Sequence, residues 1–304
     1  MGNSIELAGV TKKFGAKTAV DRLDLAVPEG SIYGFIGPNG SGKTTTLRLV
    51  LRIYQPDEGR VVVLGADRGH VADPRLGYLP EERGLYKRMK VAEQIEYFAR
   101  LKGCYNCRPA VLEWLRRLDA ESWANQRVES LSKGMAQKVQ FIAAVIARPQ
   151  LVILDEPFAG LDPVNLELLR DAVLSLRADG ATVVFSTHDM HIAENLCDTI
   201  FMIFEGRKVL DGTLAQIRGA RSANRVRLRL AGGGELPGGL PGVASASRAG
   251  GFHELTVADG TAPQAILRHV AGSCEVEHIE IVQPTLHDIF VDIARPPIAE
   301  RMGA

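Results

Sequence analysis

Apolar residues occur along this 304-residue chain both as short continuous runs and as helix-spaced series. The continuous runs Ile32–Ile36, Leu151–Leu154 and Ala181–Ser186 predict buried strands, as in a parallel sheet with both faces covered. Alternation over residues 5–10 and a second strand-like run, Ala19–Val27, predict two further strands. We therefore expect the first part of the chain to have an α/β fold.

Between about residues 82 and 147 the apolar positions take helical spacing instead. Three predicted helices place their apolar residues on one side: Ile95, Phe98, Ala99 and Leu101; Val111, Leu112, Leu115 and Leu118; and Val139, Ile142, Ala143 and Ile146. Ser132 is a suitable first residue for the third helix, because its hydroxyl can accept from a free N–H. This region is predicted to be a helical subdomain outside the sheet.

The pattern changes again beyond about residue 219, where glycine and proline cluster in loops. Strands are predicted at Val226–Leu230, Phe252–Val257 and Glu275–Val282, and helices at Pro263–Val270 and Leu286–Ala294. The predicted domains are therefore residues 1–219 and a small α+β domain over residues 220–304.

Composition narrows the class of protein. Lys+Arg and Asp+Glu are both 36, so the chain has no net charge, which argues against a nucleic-acid partner. No apolar run reaches the roughly 18–20 residues that span a bilayer, and the first residues do not resemble a signal peptide. Cys104 and Cys107 form a lone C-x-x-C without a second ligand pair and are interpreted as free thiols. We expect a cytoplasmic protein.

A glycine-rich loop between a predicted strand and a predicted helix carries the first chemical signal. It consists of Gly37, Pro38, Asn39, Gly40, Ser41, Gly42, Lys43, Thr44 and Thr45. Its glycines allow backbone N–H groups to surround a phosphate, and the helix start adds positive potential. Lys43 is expected to contact the β- and γ-phosphates and Thr44 to bind Mg²⁺. The alternative is a glycine-rich turn that binds nothing.

Polar residues at the ends of two later strands complete a predicted hydrolytic site. Asp155 is expected to hold Mg²⁺, and Glu156 to act as general base toward water. His188 is expected to donate to the γ-phosphate, although a single histidine at a strand end is more often structural. Phe14 either stacks on the nucleotide base or is a half-buried loop aromatic. The predicted reaction is hydrolysis of ATP.

The order of these motifs over about residues 4–215 resembles an ABC-type ATPase, the nucleotide-binding subunit of an ABC transporter. The family's signature motif corresponds to Leu131–Met135 and its D-loop to Ala159–Asp162. The resemblance makes His188 the switch histidine and Phe14 the base-stacking aromatic. It implies a P-loop NTPase core with an antiparallel β subdomain and a helical subdomain, and ATP and Mg²⁺ as cofactors.

The signature motif also implies a dimer. In the family, the residues that match Ser132 and Gly134 contact the γ-phosphate bound on the opposite subunit, so two subunits enclose two ATP molecules. Either a homodimer or a heterodimer of ATP-binding subunits would complete the two ATP sites.

Two positions depart from the common family pattern. Glu81 replaces the usual glutamine that ligates Mg²⁺ and takes part in catalysis, and it adds a negative charge there. Lys133 and Met135 replace the usual glycine and glutamine of the signature motif. The run Pro80–Tyr86, the signature motif and the C-terminal ending Pro284–Phe290 together resemble the subgroup similar to bacterial sodium-efflux ATPases.

That subgroup works with separate permeases of the ABC-2 type. The resemblance therefore implies an export subunit, peripheral to the inner face of the cell membrane, with an integral-membrane permease as partner. The alternative is a soluble ABC ATPase that acts on nucleic acid or ribosomes. Such relatives carry paired ABC domains, coiled-coil insertions or zinc modules, none of which is seen in this sequence. A kinase with a phosphate-binding loop would lack the signature motif.

Overall fold

A computed structural model describes residues 2–67, 73–82, 84–219, 225–258, 261 and 263–294. Internal contacts divide the chain into two compact units, residues 1–213 and 214–304. The division falls before a short helix, Leu214–Gly219, which the sequence prediction had assigned to the first domain.

The first unit contains two sheets and a set of helices. Its strands are β1 (Asn3–Phe14), β2 (Lys17–Pro28), β3 (Ile32–Ile36), β4 (Glu58–Val63), β5 (Leu76–Leu79), β6 (Leu151–Asp155), β7 (Thr182–Thr187), β8 (Thr199–Phe204) and β9 (Arg207–Gly212). Its helices are α1 (Lys43–Val50), α2 (Val91–Leu101), α3 (Arg108–Arg117), α4 (Lys133–Val145), α5 (Pro163–Ala178) and α6 (Met190–Leu196).

A six-stranded sheet of order β5-β6-β7-β3-β8-β9 forms the centre of this unit. All its neighbouring strands are parallel except β8 and β9, which form an antiparallel hairpin. Every residue of β3, β6 and β7 is buried, as their continuous apolar runs predicted. The pairs Ile36–Thr187 and Asp155–Ser186 bring the carboxyl ends of these three strands to one edge.

The antiparallel β subdomain is a three-stranded sheet of order β2-β1-β4. Its inward residues, including Ile5, Val20 and Leu25, share a hydrophobic cluster with Phe35 of β3 and Leu47 of α1. This packing places the β1–β2 hairpin beside the loop between β3 and α1.

Helices α2, α3 and α4 form the predicted helical subdomain. Leu115 is fully buried, and Trp114 packs edge-on against Phe141 with the ring centroids 5.9 Å apart. The prediction that Leu101 belongs to the buried face of α2 is wrong, because this side chain is 65% exposed. The six positions from Ile95 to Leu101 turn a helix through about 240°, which carries Leu101 off that face.

The second unit is a small α+β domain, as predicted. Its elements are α7 (Leu214–Gly219), β10 (Arg225–Leu230), β11 (Val243–Ala249), β12 (Phe252–Val257), α8 (Pro263–Ser273), β13 (Val276–Val282) and α9 (Leu286–Ala294). The strands form an antiparallel sheet of order β11-β12-β10-β13. Ile266 and Val270 of α8 share a core with Leu228 and Leu255 of the sheet. The sequence prediction missed β11, an edge strand in which six of the seven residues are exposed and only Val243 is a larger apolar residue.

We expect Leu115→Ala to destabilise the helical subdomain by about 2–5 kcal/mol, because the truncation leaves a cavity in a fully buried site. Both tryptophans of the chain, Trp114 and Trp123, pack against the same core cluster, so their fluorescence during urea unfolding reports on this region. The matched control is Leu101→Ala on the exposed side of α2, expected to change stability by less than about 0.5 kcal/mol. Equal losses for both variants would contradict the packing described above.

Candidate ATP-binding site

The loop between β3 and α1 depends on glycine at two positions. Gly37 has φ +154° and Gly42 has φ +113°, a region that disfavours residues with a side chain. A Cβ atom on Gly37 would lie 2.3 Å from the Ile203 carbonyl oxygen, and one on Gly42 would lie 2.6 Å from that of Ala19. The loop is therefore held tightly between the hairpin β1–β2 and the end of β8.

Lys43 lies inside this loop with only 6% of its surface exposed. Its ammonium donates to the carbonyl oxygens of Gly37 at 2.7 Å and Pro38 at 3.2 Å, and Glu156 Oε1 lies 3.8 Å away. Burial lowers the pKa of Lys43, while the carboxylates of Glu156, Asp155 and Glu81 oppose that shift. The Lys43 ammonium at the start of α1 favours the binding of a negatively charged phosphate group.

Asp155, at the end of β6, is completely buried. Its Oδ1 accepts hydrogen bonds from Ser186 Oγ and, at 3.3 Å, from Thr44 Oγ1. Its Oδ2 is buried without a hydrogen-bond partner among the described residues. Such an atom needs a compensating ligand, and oxygen donors from a carboxylate and a threonine hydroxyl fit Mg²⁺.

Mg²⁺ usually keeps several waters or phosphate oxygens and takes few protein ligands. In the described residues, no three His, Cys, Asp or Glu side chains are grouped so that they could hold a metal ion. Thr44 and Asp155 therefore fit Mg²⁺ that arrives with a nucleotide.

Glu156 has φ +50°, an unfavourable conformation for a glutamate, and strain of this kind is often found at functional sites. Its backbone N–H donates to Ser186 Oγ at 3.0 Å, and Gln137 Nε2 donates to its carbonyl oxygen at 3.4 Å. His188 Nδ1 lies 3.0 Å from Glu156 Oε1. Because a carboxylate only accepts, this distance fits a histidine that is protonated on Nδ1.

A cavity of about 340 Å³ connects most of the predicted site residues. Its lining comprises Phe14, Lys17, Ala19, Asn39, Gly40, Gly42, Lys43, Thr44, Thr45, Glu81 and Glu156. Phe14 is 46% exposed at the cavity rim, where Tyr54 packs edge-on against it with the centroids 5.3 Å apart. The structure thus brings an exposed aromatic ring, the phosphate-binding loop and two carboxylates to one space.

Ser132 and Gly134 are not among the residues that line this cavity. Ser132 is exposed and caps α4, since its Oγ accepts from the Met135 N–H at 3.2 Å. A Cβ atom on Gly134 would lie 3.4 Å from Leu161 Cδ2, so the signature motif adjoins the segment Ala159–Asp162. Within one chain, the signature motif is separate from the phosphate-binding cavity.

Sequence reasoning missed several residues of the site. Lys17 and Ala19 line the cavity from β2, Tyr54 orients Phe14, and Ser186 holds both Asp155 and the backbone of Glu156. Only Ser186 carried a local signal, as a polar residue at the end of an otherwise apolar strand.

Comparison with known proteins identifies the family. The profile of the family described as "ABC transporter" matches residues 20–159, and that of "ATP-binding protein DrrA1-3-like, C-terminal domain" matches residues 212–294. An uncharacterized ABC transporter ATP-binding protein, YhaQ of Bacillus subtilis, is 41% identical over 286 residues, which are 93% of this chain and 96% of that protein.

The chain belongs to the ATP-binding subunits of ABC transporters. It is an ATPase with the P-loop core of that family and a DrrA-like C-terminal domain. Another relative is the Nod factor export ATP-binding protein I of Sinorhizobium fredii, 38% identical over 69% of this chain and 62% of that protein.

A solved structure shows the same fold in an assembled form. It is a dimeric, post-hydrolysis state of an ATP-binding cassette bound to ADP and phosphate, with a TM-score of 0.64 and 26% identity. The match covers 69% of this chain and 98% of that one.

We expect Glu81→Gln to keep ATP hydrolysis and to lower the KM for ATP by about two- to fivefold, because it removes an exposed negative charge from the phosphate cavity. The difference between variant and wild type should shrink as salt concentration rises. The control is Glu82→Gln, the adjacent exposed carboxylate, which does not line the cavity. An inactive Glu81→Gln enzyme would show that the reaction needs the carboxylate itself.

Proposed function

We propose that this ABC ATPase is the energising subunit of an export transporter of the ABC-2 type, bound to a separate membrane permease on the cytoplasmic side. The observation that carries the proposal is the split of its motifs: one chain holds a phosphate cavity and, apart from it, an exposed signature motif. The export direction is supported by the relative whose name describes Nod factor export.

In this proposal the residues of the predicted site have separate roles in binding ATP and Mg²⁺. Phe14 stacks on the base, the loop Gly37–Thr45 surrounds the phosphates, and Lys43 neutralises their charge. Thr44, Asp155 and Glu81 would hold Mg²⁺, which would supply positive charge to the phosphate oxygens.

Glu156 accepts a proton from the attacking water, and His188 keeps Glu156 Oε1 in position at 3.0 Å. His188 is also exposed, so it is available to donate to the γ-phosphate. Ser186 fixes Asp155 and Glu156, because its hydroxyl donates to the Asp155 carboxylate and accepts from the backbone N–H of Glu156.

The separate signature motif makes the site incomplete in one chain. Ser132 lies at the N-terminus of the 13-residue helix α4, where free N–H groups and the helix dipole favour an anion. In a dimer, Ser132 and Gly134 of each subunit would reach the γ-phosphate held by the other, so that ATP joins the subunits and hydrolysis releases them.

A second cavity of about 300 Å³ supplies a surface for the permease. It is an open groove whose apolar lining includes Tyr78, Pro80, Leu85, Phe98 and Leu101. Apolar side chains exposed together favour a protein partner. In the described residues, no helix is long and apolar enough to cross a membrane. In the proposed transporter, a cytoplasmic segment of the permease occupies the groove.

We expect Glu156→Gln to lower the ATP hydrolysis rate by about 10²- to 10⁴-fold while ATP still binds, because the general base is lost and the phosphate cavity is kept. The variant should then elute as a dimer in size-exclusion chromatography with Mg-ATP and as a monomer without nucleotide. Glu113→Gln, an exposed change on α3, should behave like the wild type. A Glu156→Gln protein that stays monomeric with saturating Mg-ATP would contradict the split site.

We expect a photo-reactive benzoylphenylalanine at Leu101 to cross-link the chain, in cell membranes, to a cytoplasmic segment of an integral-membrane protein. Mass spectrometry of the cross-linked peptide would identify that segment. The same group at Tyr105, which is 73% exposed and outside the groove, is the control and should give little of this product. Cross-links from Leu101 only to ribosomal or nucleic-acid-binding proteins would contradict the transporter assignment.

A further inference from the structure

Gln140 of α4 is a polar residue in the lining of the apolar groove. Only 5% of its surface is exposed. Its amide nitrogen Nε2 donates to the Glu82 carbonyl oxygen at 3.2 Å. Because a carbonyl oxygen only accepts, this contact fixes which end of the amide is nitrogen, and Oε1 must be the other end.

The amide oxygen Oε1 of Gln140 is buried and has no hydrogen-bond donor among the described residues. An unpaired buried acceptor is unfavourable, and native structures rarely leave one without a reason. The terminal torsion of glutamine is soft, so a small rotation can turn this oxygen toward a group in the groove.

The charged side chains of the groove already have partners. Asp73 accepts from Arg75 at 2.7 Å, and Lys102 Nζ donates to the Leu76 carbonyl oxygen. Among the described lining residues, the amide oxygen of Gln140 is thus the buried side-chain acceptor that still needs a donor.

The loop that Gln140 holds connects the groove to the ATP cavity. Pro80 lines the groove, the next residue Glu81 lines the ATP cavity, and Glu82 accepts the hydrogen bond from Gln140. A shift of the Gln140 amide would therefore move the backbone beside Glu81.

We propose that the permease segment in the groove presents a hydrogen-bond donor to Gln140 Oε1, and that Gln140 links this donor to the position of Glu81. The proposal rests on the function proposed above. The partner is thus an apolar segment with one donor: a hydroxyl, an ammonium or a free N–H at a helix start. Gln140 is a positioning residue, since it touches neither ATP nor the metal.

Two variants distinguish the role of the amide nitrogen of Gln140 from that of its amide oxygen. Gln140→Met removes both the donor and the acceptor while nearly keeping the volume. Gln140→Glu keeps an acceptor for the partner but cannot donate to the Glu82 carbonyl oxygen when ionised. The control is Gln150→Met, the same chemical change at an exposed position outside the groove.

The experiment uses the full chain and the membrane protein that the Leu101 cross-link identifies, reconstituted in vesicles. It measures the affinity of the two proteins and the ATPase rate of the chain with and without the permease. Thermal unfolding of each isolated variant verifies that it is folded.

For Gln140→Met we expect the permease to bind about tenfold more weakly and its stimulation of kcat to be lost. For Gln140→Glu we expect near-normal affinity but a loss of the stimulation of kcat by the permease. Gln150→Met should match the wild type in every measurement.

The proposal is overturned if Gln140→Met binds the permease and responds to it like the wild type while the Leu101 cross-link persists. That result would leave the transporter assignment intact. Absence of any cross-link to a membrane protein would instead refute the transporter assignment itself.

Discussion

The parallel pairing of β3, β6 and β7 is the constraint on which the rest of the site depends. Because the three strands run in the same direction, their carboxyl ends lie at one edge of the sheet. The glycine loop follows β3, Asp155 ends β6 and is followed by Glu156, and His188 follows β7. Ser186 holds the arrangement together, since it contacts the carboxylate of Asp155 and the backbone of Glu156. A change that shifted one strand in register would separate all of these groups.

The fold places positive and negative charges together in the phosphate cavity. Lys43 and the start of α1 favour a polyanion, whereas Glu81, Asp155 and Glu156 place three carboxylates near the same space. Such a site is balanced only when cations accompany the nucleotide. This balance gives a physical reason for binding ATP as its magnesium complex, as proposed here.

The groove and the cavity share a short segment of backbone. Pro80 faces one and Glu81 the other, and Gln140 of α4 is bonded to the next carbonyl group. A partner in the groove and a nucleotide in the cavity can therefore influence each other through adjacent residues. Such coupling requires a contact that differs between the free chain and the chain bound to its partner. The hydrogen bond of the Gln140 amide is a candidate for that contact.

The sequence by itself determined the strands and helices that build the nucleotide-binding unit, because long apolar runs and helical spacing are local signals. It also marked Gly37–Thr45, Asp155, Glu156 and His188 as candidate site residues, since these segments lie at or just after the end of a strand. Leu101 was assigned to the wrong face, because it lies about 240° around α2 from Ile95. The strand β11 was missed, because its residues are mostly small and exposed.

Only the tertiary structure decided which distant residues meet. The contact of His188 with Glu156, the support by Ser186 and Tyr54, and the separation of Ser132 from the cavity depend on strand order and on packing across the sheet. The unpaired oxygen of Gln140 likewise became visible only when its surroundings were known. Local patterns specify elements, whereas contacts between residues far apart in the chain follow from how those elements bury their apolar faces together.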